Sequence, residues 1–469
     1  MEWRDADRHR LAIFAATAVA ARAGTFGNPN VHVDEQFYLY VARRMIDGAL
    51  PFVDVWDRKP IGLFALYLPA AALPYGWSIW AYQILALIAV IATAWLAARI
   101  AAQVGWVRGA TAAGIGYILL LNWFGGQGGQ APIFCNLPMA FAMLLILRGG
   151  ARREVAAMAA IGIALQIKYS VVFEGVFAGL YILWRHWRAG ERGALIWRGV
   201  LLVGVALLPT AAVWLWYAAH GHAQAFLFAN VVSILQRGGD PADERLAMLA
   251  TLLGWMVLPV ALAVAGLRGG DSPGGDRQGR RFLAGWLAAA LAGIAILGGW
   301  LLHYALPVML PVSVALAGLF CIRPRLTIGF LIVAALVGQG VLWSNRHGRG
   351  TPAAFDTLVA RIAAAPAGCL YVYSGPPGLQ DASGRCALSR YVFPGHLYRV
   401  HEARAIGADQ MREVERIFAQ APAVVILRPS SRGERRDIRT LVESRLRSAY
   451  RPLQPARLGS ETLQIWVHR

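Results

Sequence analysis

Five side chains in the first half of the sequence have types and spacings suited to chemistry. Asp34 and Glu35 are adjacent, Arg58 and Lys59 are adjacent, and Lys168 stands apart from them. A carboxylate can accept the proton of a hydroxyl group, and neighbouring cations can stabilise a departing phosphate. The chain has 45 basic residues, and Lys59 and Lys168 are its only lysines. The sequence therefore offers a candidate base and candidate phosphate ligands.

Both adjacent pairs also have an ordinary structural explanation. Acidic residues such as Asp34 and Glu35 are common in the first turn of a helix, where they cap it and complement its dipole. Arg58 and Lys59 can instead extend their charged ends from the start of an apolar helix towards water. These explanations stay open at the level of the sequence.

The composition is that of a membrane protein. Of 469 residues, 57% are apolar and 15% are charged, and the mean hydropathy is +0.48. This composition excludes intrinsic disorder and a coiled coil. A helix of about 20 apolar residues crosses a bilayer. We predict about eleven such spans, near residues 11–23, 80–100, 109–124, 133–147, 155–167, 171–184, 199–219, 246–267, 282–302, 304–321 and 326–343.

The positions of the arginines predict the orientation in the membrane. Cytoplasmic loops carry an excess of basic residues, and a cytoplasmic N-terminus places most arginines of residues 1–343 on that side. An odd number of spans then puts the C-terminal segment outside the cytoplasm. This arrangement fits a multi-pass protein of the inner (plasma) membrane and explains the net charge of +19 without nucleic acid as a partner. The first apolar run also resembles a cleaved signal peptide, but we favour its retention as a span.

From Ser344 onward the sequence is typical of a small α/β domain. Strand-like runs (CLYVYS, AVVIL, LQIWV) alternate with amphipathic helix-like runs (DQMREVERIFAQA, RRDIRTLVESRLR). We predict a transmembrane domain over 1–343 and a soluble extracytoplasmic domain over 344–469. Cys369 and Cys386 are a candidate disulfide pair in a compartment that permits disulfides. Cys135 and Cys321 lie in apolar runs, where packing explains them.

An external loop over residues 24–79 carries four of the five candidate residues. It is too polar to cross the membrane and too apolar to be an ordinary loop. Phe37, Val41 and Met45 fall at helical spacing, and Gly48 stands where a C-terminal cap is expected. The pattern predicts a helix from Asp34 to Asp47 on the outer surface of the membrane.

The order of motifs in this loop resembles that of the GT-C class of membrane glycosyltransferases. An acidic pair, the run YLYVARRMIDG, a proline turn and DRKPIGLFALY follow one another as in bacterial relatives of the protein O-mannosyltransferases and of the lipid A aminoarabinose transferase. The resemblance implies an inverting transfer of a sugar from a polyprenyl-phosphate donor on the outer face of the membrane. It implies that Asp34 is the catalytic carboxylate with Glu35 beside it, and that Lys59 and Pro60 form the lysine–proline motif.

Two later motifs extend the resemblance. ALQIKYSVV is similar to an apolar helix broken by a lysine, which implies that Lys168, with Arg58 and Lys59, neutralises the donor phosphate. WLLHYALPVMLP is similar to a late histidine/tyrosine–proline motif and makes His303 and Tyr304 candidate substrate-binding residues. A place in an aromatic belt explains His303 equally well.

One stretch departs from the family pattern. Many relatives carry an acidic residue after the external end of the third span, whereas here the stretch is GGQGGQAPIFCNLP, with Gln130 and Asn136 as its polar residues. We therefore expect no metal site, and no cofactor is indicated. Glu174 is off the helical face of Lys168, and we assign it to packing.

Two other function classes stay open. A transporter or flippase of lipid-linked glycans also needs many spans and cations in a cavity, but it has no need for an acid at the head of an external helix. A polysaccharide polymerase or ligase shares the donor chemistry and differs in what is joined. The expected partners are a polyprenyl-phosphate-linked sugar and membrane lipid, and the acceptor can be a glycan, a lipid or a protein.

Overall fold

The computed structural model describes residues 2–268 and 276–469, with the backbone alone for residues 2–6. The described chain is mostly helical. Its helices are α1 (Glu2–Arg22), α2 (Val33–Ile46), α3 (Ile61–Ala71), α4 (Tyr75–Gln103), α5 (Ala110–Trp123), α6 (Ala131–Arg148), α7 (Ala151–Leu165), α8 (Val172–Arg188), α9 (Leu195–Ala219), α10 (Ala223–Leu227), α11 (Ser233–Gln236), α12 (Ala242–Arg268), α13 (Arg277–Leu297), α14 (Met309–Ile322), α15 (Pro324–Arg349), α16 (Pro352–Ala363), α17 (Gly378–Ser383), α18 (Gly395–Tyr398), α19 (Gln410–Ala419) and α20 (Arg436–Ala449).

The predicted membrane fold is confirmed, but the predicted number of spans is not. Within the described residues, six helices are long and apolar enough to cross a membrane: Tyr75–Gln103, Ala131–Arg148, Arg192–Ala219, Ala242–Arg268, Arg277–Leu297 and Pro324–Ala363. The other five predicted spans coincide with α1, α5, α7, α8 and α14. Helices α5, α7, α8 and α14 have 14 to 17 residues, and the first half of α1 is rich in charged residues.

The chain folds as two compact units. The helical unit comprises Met1–Gly24, Gln83–Val213 and Arg245–Leu342. The mixed unit comprises Thr25–Tyr82, Trp214–Glu244 and Trp343–Arg469. The external loop and the C-terminal segment therefore belong to one unit. The predicted division of the chain at residue 343 stays a prediction.

Helix α14 forms the centre of the helical unit. All its residues from Met309 to Leu319 are buried, as expected for a helix that is apolar all round. Its backbone is approached closely at glycines of two neighbours. A Cβ atom at Gly109 would lie 2.1 Å from the carbonyl oxygen of Ala317, and one at Gly266 would lie 2.2 Å from that of Ala315. Such small residues allow the close helix packing found in membrane proteins.

The mixed unit contains a five-stranded sheet. Its strands are β1 (Leu370–Val372), β2 (Val424–Leu427), β3 (Tyr450–Pro452), β4 (Ala456–Leu458) and β5 (Glu461–His468). The sheet has the order β1-β2-β5-β3, and β4 also pairs with β5. Strands β1 and β2 are parallel, and the pairs with β5 are antiparallel. The sheet confirms the predicted small α/β fold, in which β1, β2, β5, α19 and α20 arise from the expected runs.

Alternation along the strands divides the core of this sheet between two faces. Val425 and Leu427 pack with α19 and α20 on one face, and Val424 and Ile426 pack with α16 on the other. This period of two is the normal pattern of a strand with both faces covered. Trp56 of the external loop is fully buried in the first of these clusters. The structure also contains the candidate disulfide between Cys369 and Cys386, whose Cα atoms are 4.5 Å apart.

Candidate functional site

Asp34 lies in the first turn of α2, but the residue that caps this helix is His32. His32 Nδ1 accepts a hydrogen bond from the Asp34 N–H at 3.2 Å, and it lies 3.6 Å from Asp34 Oδ2. Burial lowers the pKa of His32 to about 4; Asp34 opposes this effect, and Arg349 and Lys59 reinforce it. The ring is therefore neutral at pH 7 and can act as an acceptor. The cap of α2 does not use the carboxylate of Asp34.

Helix α2 is anchored to the C-terminal segment of the mixed unit. Gln36 Oε1 accepts a hydrogen bond from the Gly378 N–H at 3.1 Å, and Arg43 Nε lies 2.6 Å from Asp381 Oδ1. The helix ends with Gly48 in a left-handed conformation, with φ of 88°, as its sequence predicts. These contacts fix both ends of the helix that carries the acidic pair.

The two acidic residues differ in exposure. The side chain of Asp34 is 15% exposed, whereas Glu35 is completely buried. Both interact electrostatically with Arg349, and the charge of Asp34 also acts on Lys59. Because Asp34 is the more accessible of the two, it is the better placed to contact an acceptor hydroxyl.

Lys59 is held by an acidic residue that the sequence analysis did not single out. Its Nζ lies 3.0 Å from Asp57 Oδ2, and the rings of Phe37, Tyr38 and Phe393 have their centroids 5.4 to 5.7 Å from the amine. We call these three rings the aromatic cage. Burial opposes the charged amine, but Asp57 and then Asp34 outweigh it and raise the pKa of Lys59. The amine is therefore a protonated cation at pH 7.

Arg58 has partners at all three of its side-chain nitrogens. Its Nε donates to Ser233 Oγ at 3.1 Å, and its two terminal nitrogens donate to the two carboxylate oxygens of Glu402. Burial opposes ionisation of Glu402, but His401 and Arg58 outweigh it and hold the pKa of that carboxyl far below its usual range. Arg58 thus joins the external loop to the C-terminal segment. Its predicted role as a phosphate ligand stays a prediction.

Lys168 lies in the helical unit, at a break between α7 and α8. Its backbone is extended, with φ of −154° and ψ of 120°. Its amine lies 5.1 Å from the ring centroid of Tyr304. Among the residues whose side chains are described, 7–268 and 276–469, the side chain of Lys168 forms no ion pair or hydrogen bond. The predicted role of Lys168 as a phosphate ligand stays a prediction.

His303 and Tyr304 lie on a short 3-10 helix, Leu302–Ala305, just before α14. Their rings are 4.8 Å apart and nearly perpendicular. A Cβ atom at Gly299 would lie 2.2 Å from Tyr304 Cε2, so only glycine leaves space there for the tyrosine ring. The structure therefore brings Tyr304 against Lys168, and it places His303 beside Tyr304.

Gln130 and Asn136, the polar residues of the stretch that departs from the family pattern, are both buried. The side-chain amide of Asn136 donates to the Tyr117 hydroxyl and to the Leu306 carbonyl, both at 3.2 Å. Gln130 is buried at the start of α6. Among the residues that the structure describes, no three His, Cys, Asp or Glu residues are grouped to hold a metal ion.

The packing role expected for Glu174 fits its contact. Glu174 Oε1 accepts a hydrogen bond from Trp286 Nε1 at 2.6 Å, which joins α8 to α13.

The candidate residues thus form two groups. Asp34, Glu35, Arg58 and Lys59 belong to the mixed unit, and Lys168, His303 and Tyr304 belong to the helical unit. His32, Asp57 and the aromatic cage were not predicted from the sequence. A signal for Asp57 was present, because an acid two residues before Lys59 in WDRKP can reach its side chain.

Comparison with known proteins identifies the fold. No family model matches the sequence, and no curated protein is significantly similar to it. The structure is similar to that of ArnT from Cupriavidus metallidurans in the apo state, with a TM-score of 0.63, 16% identity and coverage of 98% of each chain. The chain has the ArnT fold. ArnT bound to undecaprenyl phosphate gives a TM-score of 0.61 and 16% identity over 97% of each chain.

A weaker likeness joins the chain to the Archaeoglobus fulgidus oligosaccharyltransferase, solved in complex with zinc and sulfate. Its TM-score is 0.49 at 12% identity, over 89% of this chain and 67% of that chain. The expected GT-C fold is thus confirmed through ArnT. At 16% identity the likeness to ArnT establishes the fold alone.

Proposed function

We propose that the protein transfers a sugar from a polyprenyl-phosphate donor to a hydroxyl acceptor on the outer face of the cytoplasmic membrane. The observation that carries this proposal is the pairing, within one compact unit, of an accessible carboxylate and a protonated lysine. Asp34 and Lys59 are close enough for the charge of Asp34 to raise the pKa of Lys59. The ArnT fold supports it, because one ArnT structure contains undecaprenyl phosphate.

The proposed reaction is a single displacement. Asp34 accepts the proton of the acceptor hydroxyl as its oxygen attacks the anomeric carbon of the sugar. The bond between that carbon and the phosphate oxygen breaks, and the polyprenyl phosphate leaves with the electron pair. Lys59 neutralises the new charge on the phosphate, and the attack inverts the configuration at the anomeric carbon.

The other candidates have supporting roles in this proposal. Lys168 provides a second cation for the donor phosphate, and His303 and Tyr304 contact the substrate. Arg58 is assigned to the same phosphate by the family resemblance. Its existing bonds to Glu402 and Ser233 favour an electrostatic contribution over direct contact. Glu35 is buried beside Asp34 and supports its position.

The test is sugar release from radiolabelled polyprenyl-phosphate sugars in membranes that contain the native chain or Asp34→Asn. The matched control is Asp47→Asn at the other end of α2, where the carboxylate is exposed and pairs with Arg44. We expect release with the native chain and the control, and a loss of about 10²- to 10⁴-fold with Asp34→Asn. Equal release by all three chains would remove Asp34 from the mechanism. No release from any common donor would favour a transporter.

A further inference from the structure

The carboxylate of Asp57 contacts both the backbone and the side chain of Lys59. Its Oδ1 accepts the N–H of Arg58 at 2.6 Å and the N–H of Lys59 at 2.9 Å. Its Oδ2 lies 3.0 Å from Lys59 Nζ, and its Oδ1 lies 3.3 Å from the same atom. Asp57 itself is 1% exposed. One buried carboxylate therefore fixes a long side chain that would otherwise sample many rotamers.

The aromatic cage completes this environment. Phe37 and Tyr38 come from α2, and Phe393 comes from the C-terminal segment. Aromatic faces attract an ammonium group without taking up its N–H donors. A lysine amine has three such donors, and the Asp57 oxygens accept at most two of them. The side chain of Lys59 is 28% exposed, so a donor and an open side remain for an anionic ligand.

We propose that Asp57 is the positioning residue of Lys59, which it holds as a fixed cation for the phosphate of the donor. The identity of that phosphate rests on the proposed function. Asp57 does not touch the reacting atoms in this proposal and acts through the amine.

Several charged or titratable groups surround the amine. Besides Asp57, they are Arg58 on the same loop, His32 and Asp34 at the start of α2, and His396 from α18. Burial raises the pKa of Asp57, but Lys59, His396 and Arg58 outweigh it, so the carboxyl stays ionised. The pKa of His396 is lowered by burial to about 4, which makes it neutral at pH 7. Asp57 is therefore the anion that most favours the protonated amine.

The test uses chemical labelling of the two lysines. The full-length chain in detergent is treated with an acetylating reagent between pH 7 and pH 11, and mass spectrometry measures labelling at Lys59 and Lys168. In Asp57→Asn the side-chain oxygen that accepts the two backbone N–H groups is kept, and the negative charge is lost. We expect Lys59 to react about ten times faster at pH 8 for each unit by which its pKa falls. Lys168 should react at its native rate in the same molecules.

Two further variants separate positioning from a purely structural role. Asp57→Glu keeps the charge and should restore slow labelling at Lys59. Asp381→Asn removes the carboxylate of another buried ion pair of the mixed unit, with Arg43, and should leave Lys59 labelling unchanged. The inference is wrong if Lys59 reacts at the native rate in Asp57→Asn, or if Asp381→Asn accelerates it equally.

Transfer kinetics give a second readout. In Asp57→Asn we expect the donor KM to rise about tenfold, kcat to change by less than threefold, and the alkaline limb of kcat/KM to move to lower pH. A merely structural ion pair would reduce the amount of active protein and leave KM and the pH profile unchanged. If the native chain transfers no sugar, the proposed function fails, and the labelling result still decides whether Asp57 positions Lys59.

Discussion

The two lysines of the chain are held in opposite ways. Lys59, in the mixed unit, has a buried carboxylate 3.0 Å away and three aromatic rings around it. Lys168, in the helical unit, has the ring of Tyr304 at 5.1 Å and, over the described residues, no carboxylate partner. A cation with a built-in counter-ion contributes to folding as well as to binding. Removal of a cation without a counter-ion leaves no unpaired buried charge behind, and this difference gives different predictions for the two positions.

The largest expected effect is that of Lys59→Gln. Loss of the cation should lower kcat/KM by about 10² to 10³-fold. It should also leave Asp57 as an unpaired buried charge and lower the free energy of unfolding by about 3 kcal/mol. Transfer assays and thermal unfolding measure the two effects. The double variant Lys59→Gln/Asp57→Asn should regain the lost stability and stay inactive. If Lys59→Gln alone unfolds with the native free energy, Asp57 is not the counter-ion of Lys59.

Lys168→Gln should separate activity from stability. We expect kcat/KM to fall by about 10²-fold, because the donor phosphate loses a ligand. The free energy of unfolding should stay at or above its native value, because no buried carboxylate loses its partner. Arg152→Gln, at the exposed start of α7, is the control and should be active. A marked loss of stability in Lys168→Gln would show that the lysine has a structural role instead.

Substitutions of Tyr304 test its cation–π contact with Lys168. Tyr304→Phe keeps an aromatic face against the amine and should retain activity within about twofold. Tyr304→Leu removes that face, and the donor KM should rise about fivefold, which corresponds to a cation–π contribution of about 1 kcal/mol. Equal KM values for the two variants would mean that the ring does not support the amine.

The smallest effect near neutral pH is the pH dependence of stability. The pKa of Lys59 is raised above its ordinary value of 10.5. Its contribution to the free energy of unfolding is therefore complete below pH 10.5 and is lost as the pH rises through the raised pKa. The pKa of Asp57 is lowered below its ordinary value of 3.8. Its contribution to the free energy of unfolding is therefore complete above pH 3.8 and is lost as the pH falls through the lowered pKa. The difference in stability between native and Asp57→Asn should therefore be constant from pH 5 to 7, and above pH 7 it should change only as far as Lys59 of the variant loses its proton. A difference that changes between pH 5 and 7 would contradict the assignment.

Local patterns in the sequence were sufficient to predict much of the fold. Phe37, Val41 and Gly48 predicted α2 within one residue at each end, and short strand-like runs predicted β1, β2 and β5. The number of spans was not confirmed, because helices such as α5 and α14 are buried in the bundle, where apolar sequence does not require a full membrane length. Strands β3 and β4 were missed because their sequences, YRP and ARL, contain arginine or proline and lack the apolar run that marks β1.

The candidate site was less accessible to prediction. Residue type and order pointed to Asp34, Lys59 and Lys168, but their partners depend on contacts distant in the sequence. Phe393, in the C-terminal segment, contacts Lys59. Glu402 accepts hydrogen bonds from Arg58, from which it is separated by 344 positions in the sequence. Such pairs leave no periodic signal in a single sequence.

The central proposal is that Lys59 binds the phosphate of a lipid donor. Protection of its amine from acetylation tests this most directly, because the chain has no lysine besides Lys59 and Lys168. The full-length chain would be acetylated in the presence of undecaprenyl phosphate, of undecaprenol of the same chain length, or of neither. We predict that undecaprenyl phosphate slows acetylation of Lys59 at least tenfold and that undecaprenol does not. Equal acetylation of Lys59 with the phosphate and with the alcohol would contradict the proposal.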